Sequence, residues 1–70
     1  MAEVVDWAGM YRAALDSVHL LDKGKPANES DEDWADCVDR NVEHLKLVVA
    51  KDWPESFDLT PLNDAITANA

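Results

Sequence analysis

The sequence predicts an all-α fold, in which an antiparallel hairpin of two helices is joined by a short third helix. Apolar residues recur at helical spacing in two long segments, turn-forming residues separate them, and a helix start signal stands near the C-terminus. Seventy residues suffice for one domain, and domains of this size bury only about 60% of the surface of the unfolded chain. We therefore expect a single small helical domain over residues 1–70.

The first helix is predicted over residues 2–21, because its apolar residues recur at alternating steps of three and four. This stripe comprises Val4, Trp7, Tyr11, Ala14, Val18 and Leu21. Gly9 interrupts the pattern at a cost of roughly 1 kcal/mol relative to alanine and suggests a close helix contact. After the helix, Gly24 offers a left-handed cap and Pro26 prevents continuation.

The second helix is predicted over residues 31–50, with Ser30 as its N-cap and Asp33 three residues later, as in a capping box. Pro54 closes this segment because a residue before proline is pushed out of helical geometry. The inward face runs through Trp34, Val38, Val42 or Asn41, Leu45, Val48 and Val49.

A third helix is predicted over residues 61–67, with Thr60 as N-cap and Pro61 at its first position, where the missing N–H costs nothing. It should cover the open side of the hairpin, because two helices cannot shield both flanks. The residues expected there are Phe57, Leu59, Leu62 and Ile66.

The charge balance restricts the partners of this chain. Fifteen acidic and six basic residues give a formal net charge of −9, which disfavours direct contact with nucleic acid or anionic membranes. A protein with a basic surface, such as a nucleic-acid-binding protein, is the favoured partner. The single Cys37 requires no oxidising compartment, and the chain shows neither a signal peptide nor an apolar run of about 20 residues. We therefore expect a cytoplasmic protein.

The most distinctive feature is a dense run of acids at the start of the second helix. Glu32, Asp36, Asp39 and Glu43 fall at i, i+4, i+7 and i+11, so they form one line along a helix; we call them the carboxylate stripe. Neighbouring members lie roughly 5 to 6 Å apart along the axis, a spacing of the same order as that of phosphates along a nucleic-acid strand. This pattern suggests a surface that mimics nucleic acid.

Two other residues join the stripe as candidate partner contacts. Asp33 adds a further carboxylate, and Trp53 either packs beneath the third helix or serves as an aromatic anchor of the kind interfaces prefer. Trp7 and Trp34 fall on the inward stripes and are expected in the core.

A simpler interpretation of the acids remains open. Acids in a first helical turn are stabilised by the helix dipole, and a surface helix needs a polar face in any case. Arg40 interrupts the run and can pair with Asp36 or Glu43. The alternative function is then a structural or assembly subunit that forms homo-oligomers through apolar helix faces, with the acids only for solubility.

The sequence argues against metal and catalytic chemistry. Counted from Asp31, an EF-hand loop would need glycine at its sixth position and glutamate at its twelfth, but the chain has Asp36 and Val42. Cys37 and His44 stand seven residues apart, which matches no common zinc spacing, and the surrounding acids disfavour a thiolate. We therefore expect no metal, no cofactor and no enzymatic activity.

The stretch from His44 to Ile66, HLKLVVAKDWPESFDLTPLNDAI, ends in the Thr-Pro helix start. With the acidic composition and short helical design, it resembles small proteins encoded by phages and prophages. Some proteins of that class inhibit host defence complexes, including CRISPR effectors, by presenting acidic surfaces to basic nucleic-acid channels. The resemblance implies an inhibitor that acts by binding a protein.

Overall fold

The computed structural model describes residues 5–69. They form three helices: α1 (Trp7–Lys23), α2 (Asp31–Val49) and α3 (Thr60–Ala68), and this part of the chain contains no strand. The prediction of an all-α fold with a short third helix is confirmed. Each helix contacts the other two. None of the helices between residues 5 and 69 is long and apolar enough to cross a lipid bilayer.

The start of α1 differs from the prediction. Asp6 is the N-cap, and its Oδ1 accepts a hydrogen bond of 2.9 Å from the Gly9 backbone N–H, so the helix begins at Trp7. The predicted start at Ala2 and the stripe residue Val4 lie outside the described residues. A Cβ atom at position 9 would meet the Asp6 carboxylate, so Gly9 makes room for the Asp6 cap.

The connection between α1 and α2 is held by one lysine. Gly24 has φ 80° and ψ −176°, so the positive φ that the glycine predicted is present, although the residue is not left-handed helical. The Lys25 ammonium lies 3.1 Å from an Asp31 carboxylate oxygen and donates to the Glu29 carbonyl at 3.2 Å. These contacts fix the chain as it enters α2.

The boundaries of α2 agree with the sequence pattern. The Asp33 backbone N–H donates to Ser30 Oγ at 3.1 Å, which confirms Ser30 as the N-cap. The helix ends at Val49, with Ala50 as its C-cap. Its 19 residues contain neither glycine nor proline, so nothing in the sequence interrupts the hydrogen-bond ladder.

The core lies where the three helices meet. Its buried residues are Ala14, Leu21, Val42, Leu45, Val48 and Leu62. All three from α2 belong to its C-terminal half, whereas Trp34 lies in the first turns of α2. Trp7 and Trp34 are only half-buried and both lie outside this core, so their predicted place there is wrong.

Four aromatic side chains pack together beside the core. Trp53 lies 4.7 Å from Trp7, 6.0 Å from Tyr11 and 5.3 Å from Phe57 between ring centroids, and Tyr11 lies 5.4 Å from Phe57. We call these residues the aromatic cluster. Separations of 4.5–7 Å are those at which rings attract one another, so the cluster joins the start of α1 to the segment between α2 and α3.

The start of α3 also needs a correction. Thr60 is the first helical residue and Leu59 precedes it without a side-chain cap, so Thr60 is not the N-cap. Leu59 is the N-cap residue, and Asp58 before it accepts a hydrogen bond from the Thr60 N–H through its Oδ1 at 3.0 Å. Hydrogen bonds from the Thr60 side chain and backbone lower the pKa of the Asp58 carboxyl. The Asp58 carbonyl also accepts a 2.6 Å hydrogen bond from the Tyr11 hydroxyl.

Candidate functional site

The carboxylate stripe lies on the outward face of α2, and all four of its residues are exposed. At about 3.6 residues per turn, its members fall within a narrow sector of the helix. The buried residues Val42, Leu45 and Val48 occupy the opposite side. Since the core takes one side of α2, the stripe faces away from the rest of the protein.

Local sequence keeps this face in place. The Ser30 cap and the acids Asp31, Glu32 and Asp33 occupy the N-terminal end of α2, where backbone N–H groups and the helix dipole favour negative charge. Buried residues in the C-terminal half attach the helix to α1 and α3. The stripe is therefore carried on a continuous helix that is capped at its N-terminal end and packed against the core in its C-terminal half.

Two members of the stripe have a basic neighbour on the same helix. Asp36 lies 3.3 Å from Arg40, and Glu43 lies 3.8 Å from Lys46. The Asp36 and Arg40 side chains are 70% and 74% exposed, so water screens the pair. Such helix pairs contribute about 0.3–0.5 kcal/mol, which a partner can readily replace.

The other two members, Glu32 and Asp39, make no ion pair with any residue between 5 and 69. Asp39 lies three residues after Asp36 and four before Glu43, so it has a carboxylate on each side along the helix. The stripe thus keeps an uncompensated negative charge at its centre.

The two additional candidates occupy different places. Asp33 is exposed, about 100° around the helix from Glu32, so it borders the stripe without lying in its line. Trp53 belongs to the aromatic cluster, is half-buried, and donates its indole N–H to the Val48 carbonyl at 2.7 Å. Only the ring of Trp53 remains to contact a partner, and it lies beyond the C-terminal end of α2.

The outward face of α2 also contains Leu47, which the sequence pattern of the acids does not include. Leu47 is 69% exposed and follows Glu43 by four positions, so it extends the line of the stripe with an apolar side chain. Its exposure could have been predicted from helical spacing, because Leu45 and Val48 occupy inward positions of α2 and Leu47 between them then faces outward. Leu47 therefore places an exposed apolar side chain at the C-terminal end of the stripe.

Cys37 and His44 of α2 lie in different surroundings. Cys37 is half-buried, and the Asn41 amide donates to its carbonyl at 2.8 Å and contacts its sulfur at 3.4 Å. His44 is exposed. Over the described part of the chain, no three His, Cys, Asp or Glu side chains are placed to hold a metal ion.

The outward face of α2 therefore presents a line of exposed carboxylates with an exposed leucine at its end. Charged groups arranged in this way accelerate association with an oppositely charged partner and set its orientation. In the comparisons with known proteins, no family model, no curated protein and no solved structure matches this chain.

Proposed function

We propose that this protein is a small protein-binding module that engages a basic protein surface through the carboxylate stripe. The observation that carries the proposal is the exposed line of four carboxylates on one continuous helix, with Glu32 and Asp39 free of ion pairs among residues 5–69. Lysine and arginine side chains of a partner complement such a line. Asp33 at one end and Leu47 at the other extend the contact.

The arrangement of the helices supports this proposal. Trp7 at the start of α1 contacts Trp53, which follows the end of α2 by only a few residues, and residues 24–30 are the short connection between the two helices. We infer from this that α1 and α2 form an antiparallel hairpin, with α3 packed against both. In that arrangement the outward face of α2 stays open to a partner.

The spacing of the stripe favours a nucleic-acid mimic within this class. Glu32 and Glu43 are eleven residues apart, so the stripe extends over about 16 Å of helix. That length lets several basic residues of a nucleic-acid-binding groove contact it at once. The proposed role is a phage-type inhibitor that occupies such a groove in the cytoplasm.

The test is capture of partners from the source cell on the immobilised protein. The stripe variant carries Glu32→Gln, Asp39→Asn and Glu43→Gln. The matched control carries Asp16→Asn, Asp52→Asn and Glu55→Gln, three exposed acids elsewhere on the protein. Each variant loses three negative charges, so both have the same net charge and differ only in where it was removed.

We expect the native chain and the control to capture the same basic protein, and the stripe variant to lose it. Raising NaCl from about 0.1 M to about 1 M shortens the Debye length from about 10 Å to about 3 Å and should release that protein. Equal capture by the stripe variant would refute the proposal. Capture of nothing but further copies of this chain would favour the assembly-subunit alternative instead.

A further inference from the structure

A groove lies between the C-terminal half of α1 and α3, on elements that the carboxylate stripe does not use. Its volume is about 440 Å³, within the range of about 300–1,000 Å³ typical of ligand pockets. Val18 and Leu21 from α1 and Ala65 from α3 give it an apolar floor. The groove therefore has room for a side chain of a partner.

Small residues on α3 create this space. Ala65 and Ala68 stand three positions apart, so they lie on one face of the helix and both line the groove. Neither has a side chain long enough to fill the gap toward Val18 and Leu21. The fold leaves an apolar surface uncovered here, and longer side chains at these positions would have closed it.

The polar groups around the groove favour a cation. Asp22 on α1 and Asp64 on α3 both line it, both are exposed, and neither forms an ion pair within residues 5–69. The Asn69 amide group donates to the Ala65 carbonyl at 2.8 Å, which leaves the Asn69 side-chain oxygen as an acceptor. Among residues 5–69, no lysine, arginine or histidine lines the groove.

We infer that this groove docks a lysine or arginine side chain from a basic segment of a partner protein. The methylene stem lies on the apolar floor, and the cationic head lies between Asp22 and Asp64. This division matches how these side chains behave, since they bury an aliphatic stem and keep the charge among polar groups. The inference is independent of the carboxylate stripe, because the groove residues belong to α1, α3 and the residue that follows α3.

Hexylammonium reproduces the stem and the charged head, so it is the probe for the test. It is titrated into the ¹⁵N-labelled protein, and backbone amide shifts are followed by NMR, with hexanoate as a probe of equal length and opposite charge. We expect hexylammonium to shift the amides of Val18, Asp22, Ala65 and Asn69, and hexanoate to leave them unchanged. Equal shifts from both probes, or shifts outside the groove, would overturn the inference.

Variants test the two parts of the site separately. Asp22→Asn with Asp64→Asn should weaken hexylammonium binding about five- to tenfold, since each exposed ion pair contributes modestly. Asp16→Asn with Asp52→Asn is the charge-matched control and should bind as the native chain does. Ala68→Leu should weaken binding of the probe without changing the charge, because it fills the groove at an exposed position.

Other results separate this inference from the proposed function. The stripe variant used for partner capture should still bind hexylammonium, so failure of the stripe would leave the groove standing. Sedimentation of the native chain and of the Ala68→Leu variant provides the remaining test. Self-association that this substitution abolishes would assign the groove to a second copy of the chain and overturn the inference.

Discussion

Neutralising Asp39 should stabilise the protein, although the residue lies at the centre of the proposed binding surface. Asp39 has Asp36 three positions before it and Glu43 four positions after it, and it makes no ion pair among residues 5–69. Like charges at these spacings destabilise a helix by roughly 0.2–0.5 kcal/mol per pair. Aspartate and asparagine have similar helix propensities, so Asp39→Asn removes the repulsion with little other change.

The two pairs together predict a gain of about 0.4–1 kcal/mol in the free energy of unfolding. For a domain of this size, 1 kcal/mol corresponds to a shift in Tm of roughly 4–8 °C. Urea unfolding, followed by circular dichroism at pH 7, measures the gain. It should nearly vanish at about 1 M NaCl, where the Debye length of about 3 Å is shorter than the distance between neighbouring carboxylates.

Asp16→Asn on α1 is the matched control. Asp16 is also exposed, but its neighbours at three and four positions are Arg12, Ala13, His19 and Leu20, none of them acidic. The control therefore removes the same charge without relieving repulsion between carboxylates; because Arg12 lies four positions before Asp16, it also removes an attraction of at most about 0.2–0.5 kcal/mol. If Asp39→Asn is less stable than Asp16→Asn, the Asp39 carboxylate takes part in a stabilising contact, and the account of the stripe as a destabilising surface is refuted.

Two further predictions concern the helix caps. Gly9→Ala should change the stability of the native chain little, because alanine gains about 1 kcal/mol in helix propensity and the displaced Asp6 cap loses about 1 kcal/mol. In an Asp6→Ala background there is no cap to lose, so urea unfolding should show the full gain. Asp58→Ala should lower Tm above pH 4, where the Asp58 carboxylate of the folded state is ionised and accepts from Thr60. The difference in Tm between the native chain and the variant should shrink as the pH falls through the lowered pKa of Asp58. A Tm difference that does not depend on pH between 2 and 7 would contradict this.

Helix type and number could be predicted because the apolar residues repeat at helical spacing over long segments. Ser30 was identified as a cap because it stands directly before a periodic run, and the structure places its side chain on the Asp33 N–H. The starts of α1 and α3 were harder, since the apolar stripe continues before Asp6 and since Asp58 and Thr60 are both capping residues that stand close together. Selecting the cap requires the backbone angles, which periodicity does not supply.

The positions of the tryptophans depended on tertiary structure. Trp7, Trp34 and Trp53 have similar apolar character, yet only Trp53 packs against the core. Trp7 lies outside the core and contacts Trp53 at 4.7 Å between ring centroids, and Trp34 lies outside both the core and the aromatic cluster. Which tryptophan packs against the core depends on where along their lengths the three helices meet. Helical spacing within one segment does not give that position. The groove could not be predicted for the same reason. Asp22 and Asp64 stand 42 positions apart in the sequence and line the same groove only because α3 packs on α1.

Stability and partner capture, measured together, separate recognition from the other roles of the carboxylate stripe. A polar face that exists for folding should lose stability when its charge is removed, as expected for Glu32 beside the positive end of the helix dipole. Asp39 lies beyond the reach of that dipole, between two like charges, and on the side of α2 away from Leu45. A residue in that position weakens its own helix, and such a cost is typical where charge serves recognition. Loss of a captured partner combined with a gain in stability would therefore identify the stripe as a recognition surface.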